Sequence, residues 1–239
     1  MIKLAISGCR GRMGQSITRL AIEDKSFMIA TLLEHKDHPE ANKAINDMAT
    51  TTEIASLQNA DTLIEFTLPD GTMNNLQACL DHNVKMVIGT TGLTSEQMGK
   101  IKKASQTIPI VFASNMSVGV NVLFKLTEMT AAKTGSNYTI NMSETHHVHK
   151  KDAPSGTAKT LAEIAEEASG QKVHNIESLR EGEVIGDHSV VFESDEDIIT
   201  ISHHAKSRDI FAKGALVAAK FLADKEKGLF NMQDVLGLR

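Results

Sequence analysis

The sequence contains few cysteines, no long apolar run and no excess of basic residues. Its two cysteines, Cys9 and Cys79, lie far apart and outside any CxxC spacing, so neither a disulfide framework nor a zinc knuckle is expected. No run of about 18 apolar residues occurs, and the opening residues MIKLAISG predict a strand rather than a secretory leader. These absences predict a cytoplasmic protein that has no membrane partner.

Charge and composition argue against further classes of protein. The formal net charge of -5 argues against a general affinity for nucleic acid, because binding many phosphates requires a concentrated basic face. With 41% apolar and 23% charged residues, the chain is typical of a folded globular protein rather than a disordered or fibrous one. Its 239 residues exceed the usual size of one domain, so we expect two domains.

The first half of the sequence alternates apolar strands with helical segments. Strands are predicted at residues 3–7, 27–33, 62–66, 85–89 and 108–113, and helices at residues 15–22, 72–83 and 95–105. Strands that are apolar on both faces are typical of a parallel sheet covered by helices on two sides. The sequence therefore predicts an α/β fold with a Rossmann-type doubly wound parallel sheet over residues 1–117.

The pattern changes after residue 117. Helices are predicted at residues 118–133, from about Gly156 and at residues 210–222, and strands at residues 138–145, 189–193 and 197–202. The last two strands alternate apolar and polar residues around the acidic turn SDED, which predicts an antiparallel pair. We therefore expect a C-terminal α+β domain of residues 118–207 with a mostly antiparallel sheet, and residues 208–239 returning to complete the first domain.

The segment GCRGRMG lies between the first predicted strand and the first predicted helix. It places glycines at positions 8, 11 and 14, a variant of the GxGxxG pattern that lets the backbone and the helix N-terminus approach a pyrophosphate. Arg12 is expected to add a charge-assisted contact. Three glycines alone also describe an ordinary tight turn, but a strand, a helix and a downstream acid in register favour a dinucleotide.

The downstream acid is Glu34, at the end of the second predicted strand. An acid roughly twenty residues after the last glycine accepts hydrogen bonds from the adenine ribose hydroxyls, which favours NADH. His35 and Lys36 follow it and can receive the 2′-phosphate of NADPH, so use of both cofactors is left open. Two later loops, residues 89–91 and 113–116, also follow strands; by spacing alone each is equally consistent with a plain turn.

The segment ETHHVHKKDAPSGTA, residues 144–158, is the chemically richest part of the sequence. It places His146, His147 and His149 beside Lys150 in an otherwise acidic protein. Such a cluster predicts a local binding site for a small dianion.

A helix is expected to begin directly after this cluster. Its first N–H groups, at Gly156 and Thr157, form an anion site at a helix N-terminus, which together with the cations suits a dicarboxylate. Two other interpretations remain open. A zinc ion held by the three histidines and Glu144 is disfavoured by neighbouring lysines and by the opposite directions of consecutive side chains, and a solvated polar loop would hold no ligand.

Six motifs, in order along nearly the whole chain, resemble those of one enzyme family. They are GCRGRMG, EFTLPDG, GTTGLT, ASNMSVGVN, ETHHVHKKDAPSGTA and SRDIFAKGA. They are similar to motifs of the 4-hydroxy-tetrahydrodipicolinate reductase family, also called dihydrodipicolinate reductase, of the diaminopimelate route to lysine. The resemblance implies NAD(P)H-dependent reduction of 4-hydroxy-tetrahydrodipicolinate to tetrahydrodipicolinate with loss of water, and a homotetramer formed through the second domain.

The resemblance also implies roles for individual residues. It makes His146 the proton donor and Lys150 the second catalytic residue, with His147, Gly156 and Thr157 binding the substrate. The positions that match the family's site for NADH or NADPH are Gly8, Cys9, Arg10, Gly11, Arg12, Met13, Glu34, Gly89, Thr90, Thr91, Ala113, Ser114, Asn115 and Met116. It implies no metal.

Two departures and two rival functions accompany the resemblance. His35 stands where some relatives carry an arginine for the 2′-phosphate, and residues 173–188 form a shorter connection than in longer relatives. A non-enzymatic NAD(P)-sensing protein would need the first domain but not the cationic cluster. An aldehyde dehydrogenase is a weaker rival, because neither Cys9 nor Cys79 has the setting of a nucleophile.

Overall fold

The computed structural model describes residues 1–239 and divides into two units. The first comprises Met1–Ser117, Phe211–Gly237 and Arg239, and the second comprises Val118–Ile210 and Leu238. The chain therefore leaves the first unit, builds the second, and returns to complete the first.

The first 117 residues alternate strands and helices as the sequence predicts. The elements are β1 Ile2–Ser7, α1 Arg12–Glu23, β2 Phe27–Leu33, β3 Thr50–Thr51, a 3₁₀ helix Ile54–Asn59, β4 Thr62–Glu65, α2 Pro69–His82, β5 Lys85–Ile88, α3 Ser95–Ala104 and β6 Pro109–Phe112. Helix α2 starts three residues earlier than predicted because Pro69 occupies its first turn, where the missing N–H costs no hydrogen bond.

The second unit contains two helices and four strands. Its elements are α4 Val118–Thr134, a 3₁₀ turn Gly135–Asn137, β7 Thr139–His146, α5 Gly156–Ser169, β8 Asn175–Arg180, β9 Asp187–Glu193 and β10 Ile198–His204. Helix α5 begins where Ser155 caps it, the Ser155 hydroxyl accepting from the N–H of Ala158 at 3.1 Å. It ends at Gly170, which adopts a left-handed conformation with φ of 74°.

The chain then supplies α6 Asp209–Leu222, β11 Gly228–Phe230 and α7 Met232–Val235. Within the first unit, α6 lies against the loop that follows β6. A Cβ atom on Gly214 would be 1.7 Å from the carbonyl oxygen of Met116, so this approach requires glycine. Helix α6 thereby supports the 113–116 loop.

The first unit is built on a seven-stranded parallel sheet in the order β11-β6-β5-β4-β1-β2-β3. From β3 to β6 this is the strand order of a Rossmann-type fold. One face packs on α1 and α6 through Ile17 and Ala215, and the other packs on α2 and α3 through Leu76 and Ile101. The predicted doubly wound parallel sheet is confirmed.

The second unit is built on a four-stranded sheet in the order β10-β9-β7-β8. Strand β9 runs antiparallel to both β7 and β10, whereas β8 runs parallel to β7. Helices α4 and α5 pack on one face, where Leu123 and Leu161 meet Ile140 and Phe192. The predicted α+β unit with a mostly antiparallel sheet is confirmed, with one parallel edge strand in addition.

Three strands of the structure are not predicted by the sequence pattern. Strand β3 has two residues and β11 has three, too few for a periodic pattern to emerge. Strand β8, with the sequence NIESLR, is an edge strand whose residues are exposed or half-buried, so its sequence lacks an apolar face. None of the helices combines the length and the apolar character that a bilayer span requires.

Candidate active site

The loop between β1 and α1 depends on two glycines. Gly8 has a φ of 73°, a left-handed conformation that glycine adopts without strain. A Cβ atom on Gly14 would lie 2.1 Å from the carbonyl oxygen of Gly8 and 2.7 Å from Cα of Cys9. Only glycine therefore lets α1 start so close to the end of β1, which leaves a narrow cradle above the sheet.

The N-terminus of α1 is suited to bind an anion. Gly11, its N-cap, has no side chain to occupy the first-turn N–H groups, and that turn carries no acidic residue. Arg12 is the first residue of the helix and is exposed. First-turn N–H groups, the positive end of the helix dipole and a guanidinium are the features that suit a phosphate, and contact with one stays a prediction.

Glu34 lies against the same loop, at the carboxyl end of β2. Its Oε2 accepts from the N–H of Arg10 at 2.8 Å, and its Oε1 accepts from the N–H of His35 at 2.8 Å. His35 and Lys36 are exposed beside it. The structure thus brings three predicted cofactor contacts to the side of the cradle: the ribose acceptor and the two side chains that could bind a 2′-phosphate.

Arg10 and Cys9 have structural roles that sequence reasoning did not distinguish. The Arg10 guanidinium donates to the carbonyl of Lys43 and lies 3.6 Å from Glu40, so it anchors the 40–44 segment. Burial, assisted by the charge of Glu34, raises the pKa of the Cys9 thiol to about 11. An un-ionised thiol is a poor nucleophile, which argues against an aldehyde dehydrogenase.

The loops after β5 and β6 end at the same edge of the sheet as the cradle. Gly89 lies directly against the Phe66 ring, because a Cβ atom there would be 2.2 Å from it. Thr90 is 4% exposed, whereas Thr91 and Ser114 are exposed. Because parallel strands bind ligands at their carboxyl ends, these loops are placed to line a cofactor, and their direct contact with one stays a prediction.

In the second unit, His146 is the last residue of β7 and contacts a buried carboxylate. Its Nδ1 forms a short hydrogen bond with Glu144 Oε2, and the Glu144 side chain has no exposed surface. The other oxygen of Glu144 accepts from Arg180 Nη2 at 3.0 Å and from the N–H of Ser155 at 3.2 Å. This carboxylate therefore connects β7, β8 and the start of α5.

The charges around His146 set its protonation. Burial lowers the pKa of His146 below its ordinary value of 6.5, and the charges of Lys150 and Arg180 act in the same direction, against the raising effect of Glu144. Burial acts to raise the pKa of Glu144, but hydrogen bonds from Arg180 and His146 outweigh it and leave that pKa below its ordinary value. At neutral pH the pair is therefore a neutral imidazole beside an ionised carboxylate.

His188 on β9 joins the cluster from a third strand. Its ring meets that of His146 edge to face with centroids 5.1 Å apart, and its Nε2 lies 3.3 Å from Ser155 Oγ. Burial lowers the pKa of His188 to about 4, so it is neutral.

The remaining members of the predicted cation cluster differ in setting. Lys150 Nζ lies 2.7 Å from Asp152 Oδ1, so a ligand anion would share it with that carboxylate. His149 is exposed and lies 3.5 Å from Glu183. His147 is half-buried, and its buried Nδ1 forms no hydrogen bond within the protein.

The structure brings together a set of possible metal donors that differs from the set in the sequence pattern. The donor atoms of Glu144, His146 and His188 lie within 4.8 Å of one another. However, Arg180 donates to the same carboxylate at 3.0 Å, and its fixed positive charge repels a cation there. The chemistry of this donor set is therefore that of a carboxylate that orients a histidine, and not that of a metal centre.

Arg180 and His188 were missed from the sequence. Each reaches Glu144 or His146 through strand pairing, since Arg180 is opposite His146 and His188 is opposite Glu144 in the sheet. The only local signal was the REG segment, which begins with Arg180. Their contribution depends on register between distant strands, which a single sequence does not reveal.

Comparisons with known proteins agree over the whole chain. Family models for the N-terminus and the C-terminus of dihydrodipicolinate reductase match residues 2–116 and 119–236. The chain is 40% identical to the 4-hydroxy-tetrahydrodipicolinate reductase of Polynucleobacter necessarius, with 100% of both chains covered. It is 38% identical to the enzyme of the same name from Nitrosomonas eutropha, with 100% of this chain and 99% of that one covered.

Solved structures share the fold. The dipicolinate-bound dihydrodipicolinate reductase of Paenisporosarcina sp. TG-14 superposes with a TM-score of 0.84 at 24% identity over 98% of both chains. A probable dehydrogenase of Thermotoga maritima superposes with a TM-score of 0.63 at 9% identity, covering 99% of this chain and 93% of that one. At these identities the likeness concerns the architecture.

Proposed function

The chain belongs to the dihydrodipicolinate reductase family, and from that premise we propose that its first unit binds NADH or NADPH while His146 in its second unit protonates the bound substrate. The reaction is the reduction of 4-hydroxy-tetrahydrodipicolinate to tetrahydrodipicolinate in the diaminopimelate route to lysine, consuming one reduced nicotinamide and one proton and releasing water. The observation that carries the proposal is the buried Glu144–His146 pair beside the N-terminus of α5.

The first unit fits a dinucleotide. The cradle that a Cβ atom on Gly14 would fill and the uncapped start of α1 suit a pyrophosphate, with Arg12 adding charge and Glu34 accepting from ribose. Residues 89–91 and 113–116 would hold the nicotinamide end. When bound, the reduced nicotinamide supplies the hydride that is added to the substrate ring.

The second unit supplies the dicarboxylate site and the proton. We assign the substrate carboxylates to His147, Lys150 and the N–H groups of Gly156 and Thr157, because α5 has no acidic residue in its first turn and its dipole favours an anion. Glu144 holds Nδ1 of His146 and leaves Nε2 for the substrate. The negative charges of a dicarboxylate raise the pKa of His146 in the complex, which lets it carry the proton that it donates.

Replacing Glu144 by glutamine is expected to shift the pH profile of kcat/KM to lower pH. His146 must be protonated to act, so kcat/KM falls as pH rises through its pKa in the free enzyme, which lies below 6.5. The Glu144 charge raises that pKa, so E144Q lowers it further and moves the descending limb to lower pH. Glu163→Gln, which removes an exposed charge on α5, should leave the limb in place; an unmoved limb in E144Q would contradict the role of Glu144.

Lys36 is expected to influence the choice of cofactor. If Lys36 receives the 2′-phosphate, Lys36→Ala raises KM for NADPH about threefold to fivefold, the effect expected from losing one exposed ion pair. KM for NADH should stay unchanged. Lys102→Ala, at an exposed position on α3, is the control. Equal changes for both cofactors would show that Lys36 does not contact the 2′-phosphate.

We also propose a cytoplasmic homotetramer that has neither nucleic acid nor membrane as a partner. A cytoplasmic location suits a biosynthetic enzyme that uses a diffusible cofactor, and a net charge of -5 opposes nucleic acid. The sheet face opposite α4 and α5 carries short polar side chains, such as Ser189 and Ser202, whose hydroxyls lie 3.0 Å apart. An exposed sheet face of this kind suits contact with another copy. Sedimentation equilibrium should give four times 25.9 kDa, and a monomer mass would refute the tetramer.

A further inference from the structure

A buried carboxylate at the end of β4 is not used by the mechanism above. Glu65 is 0% exposed and ends a strand that pairs with β1 on one side and β5 on the other. Glutamate is almost never fully buried without partners, because removing its charge from water is costly. Its position in the centre of the sheet therefore calls for a specific role.

Threonines from three segments surround this carboxylate. Oε2 of Glu65 accepts from Thr67 Oγ1 at 2.6 Å, from the N–H of Thr67 at 3.2 Å and from Thr90 Oγ1 at 2.9 Å. Oε1 accepts from Thr72 Oγ1 at 3.0 Å. Thr67 lies in the loop after β4, Thr72 in the first turn of α2, and Thr90 in the loop after β5.

The bonds to Oε2 form a closed ring between two loops. The hydroxyl of Thr90 donates to Glu65 and accepts from the N–H of Thr67 at 2.9 Å. The same two loops also touch through Phe66, whose ring leaves no room for a Cβ atom on Gly89. Glu65 therefore fixes the loop after β4 and the loop after β5 relative to each other.

We infer that Glu65 is a positioning residue for the cofactor site, and that its carboxylate holds the loops after β4 and β5 in the arrangement that receives the nicotinamide end of NADH or NADPH. The inference rests on the proposed function. Glu65 itself is covered by these loops and does not touch the ligand. Its bond to Thr72, by contrast, anchors a helix and not a cofactor loop, which provides an internal control.

The test compares Glu65→Gln, Thr90→Val and Thr72→Val, with NADPH as the probe and its fluorescence as the measure of binding. Glutamine offers one acceptor oxygen in place of two, and Thr90→Val removes the donor from the second loop. Both should raise Kd for NADPH up to about tenfold, the effect of losing one buried hydrogen bond. Thr72→Val removes the 3.0 Å bond to Oε1 and a 3.3 Å contact with the carbonyl of Leu68. It leaves the link between the two loops through Thr90 intact, so Kd should stay unchanged.

Further readouts separate positioning from general stability. In Glu65→Gln, KM for NADPH should rise while kcat at saturating NADPH stays close to wild type. The double variant Glu65→Gln/Thr90→Val should bind NADPH about as weakly as Glu65→Gln alone, because both changes remove one link. Wild-type Kd in both variants, or equal loss in Thr72→Val, would overturn the inference. If Glu65→Gln does not fold, Thr67→Val is compared with Thr72→Val, because Thr67 lies outside the predicted cofactor contacts and its hydroxyl donates to Oε2 at 2.6 Å. A wild-type protein that binds NADPH but reduces no substrate would refute the proposed function alone.

Discussion

Replacing His146 by glutamine is expected to lower kcat by about 10²–10⁴-fold, the usual contribution of a positioned general acid. Glutamine can still donate to Glu144, but its amide cannot deliver a proton to the substrate. Because His146 lies in the second unit, Kd for NADPH should stay at its wild-type value. Steady-state kinetics together with direct cofactor titration measures both quantities.

The matched control for this variant is His174→Gln. His174 is an exposed histidine of the same unit and lies outside the Glu144 cluster, so its replacement should leave kcat unchanged. Unchanged turnover in His146→Gln would show that another group is the acid. A large loss of cofactor affinity in the same variant would show that it acts by disturbing the fold.

Replacing Gly14 by alanine is expected to abolish most of the affinity for both cofactors. The new Cβ atom would lie 2.1 Å from the carbonyl oxygen of Gly8, so α1 must move away from the loop, at a cost of about 1–3 kcal/mol in stability. The first-turn N–H groups then leave the pyrophosphate, and each lost bond to a charged group costs about 1.5–3 kcal/mol. Isothermal titration with NADH and NADPH, alongside chemical denaturation, measures the two effects.

Gly99→Ala provides the control for a glycine replacement in a helix of the same unit. Gly99 lies inside α3, and no atom lies within 4 Å of the position that its Cβ would take. Alanine there should stabilise the protein by about 0.4–1 kcal/mol and leave cofactor affinity unchanged. If Gly14→Ala binds both cofactors as tightly as wild type, the cradle is not the pyrophosphate site.

The features that the sequence revealed are those encoded over short distances. The role of Gly14 follows from its spacing to Gly8, because strand, turn and helix are contiguous. The apolar strands of the first unit predict a parallel sheet. Helix α5 could be placed because Ser155 is an N-cap just before its first residue. The cluster around His146 was visible for the same reason, since its lysines and histidines are neighbours in the chain.

The features that the sequence did not reveal depend on pairing between distant segments. Arg180 lies 36 residues from Glu144 along the chain and meets it only because β8 pairs in parallel with β7. His188 lies beside this pair only because the register between β9 and β7 places it opposite Glu144. The sequence does mark Glu65 as unusual, because it is a charged residue in the strand TLIEF, which is mostly apolar. A buried charge requires partners, but the sequence does not show which residues they are.

Two residues with predicted ligand roles also have partners within the protein. The guanidinium of Arg10, which the family resemblance places at the cofactor site, donates to the backbone of the 40–44 segment. Lys150, the second catalytic residue that the resemblance implies, is paired with Asp152. Proximity in sequence therefore identified where the charges gather, and the three-dimensional structure decided which of them face one another.

We propose that the two units together reduce a dicarboxylate imine with a nicotinamide cofactor. The most direct test follows the absorbance of NADPH, and separately of NADH, when the protein is mixed with freshly generated 4-hydroxy-tetrahydrodipicolinate. We expect substrate-dependent oxidation of at least one cofactor, strongly reduced in His146→Gln. If cofactor binds but is consumed no faster than in the absence of protein, the protein is not a reductase of this substrate and a non-enzymatic NAD(P)-sensing protein is favoured.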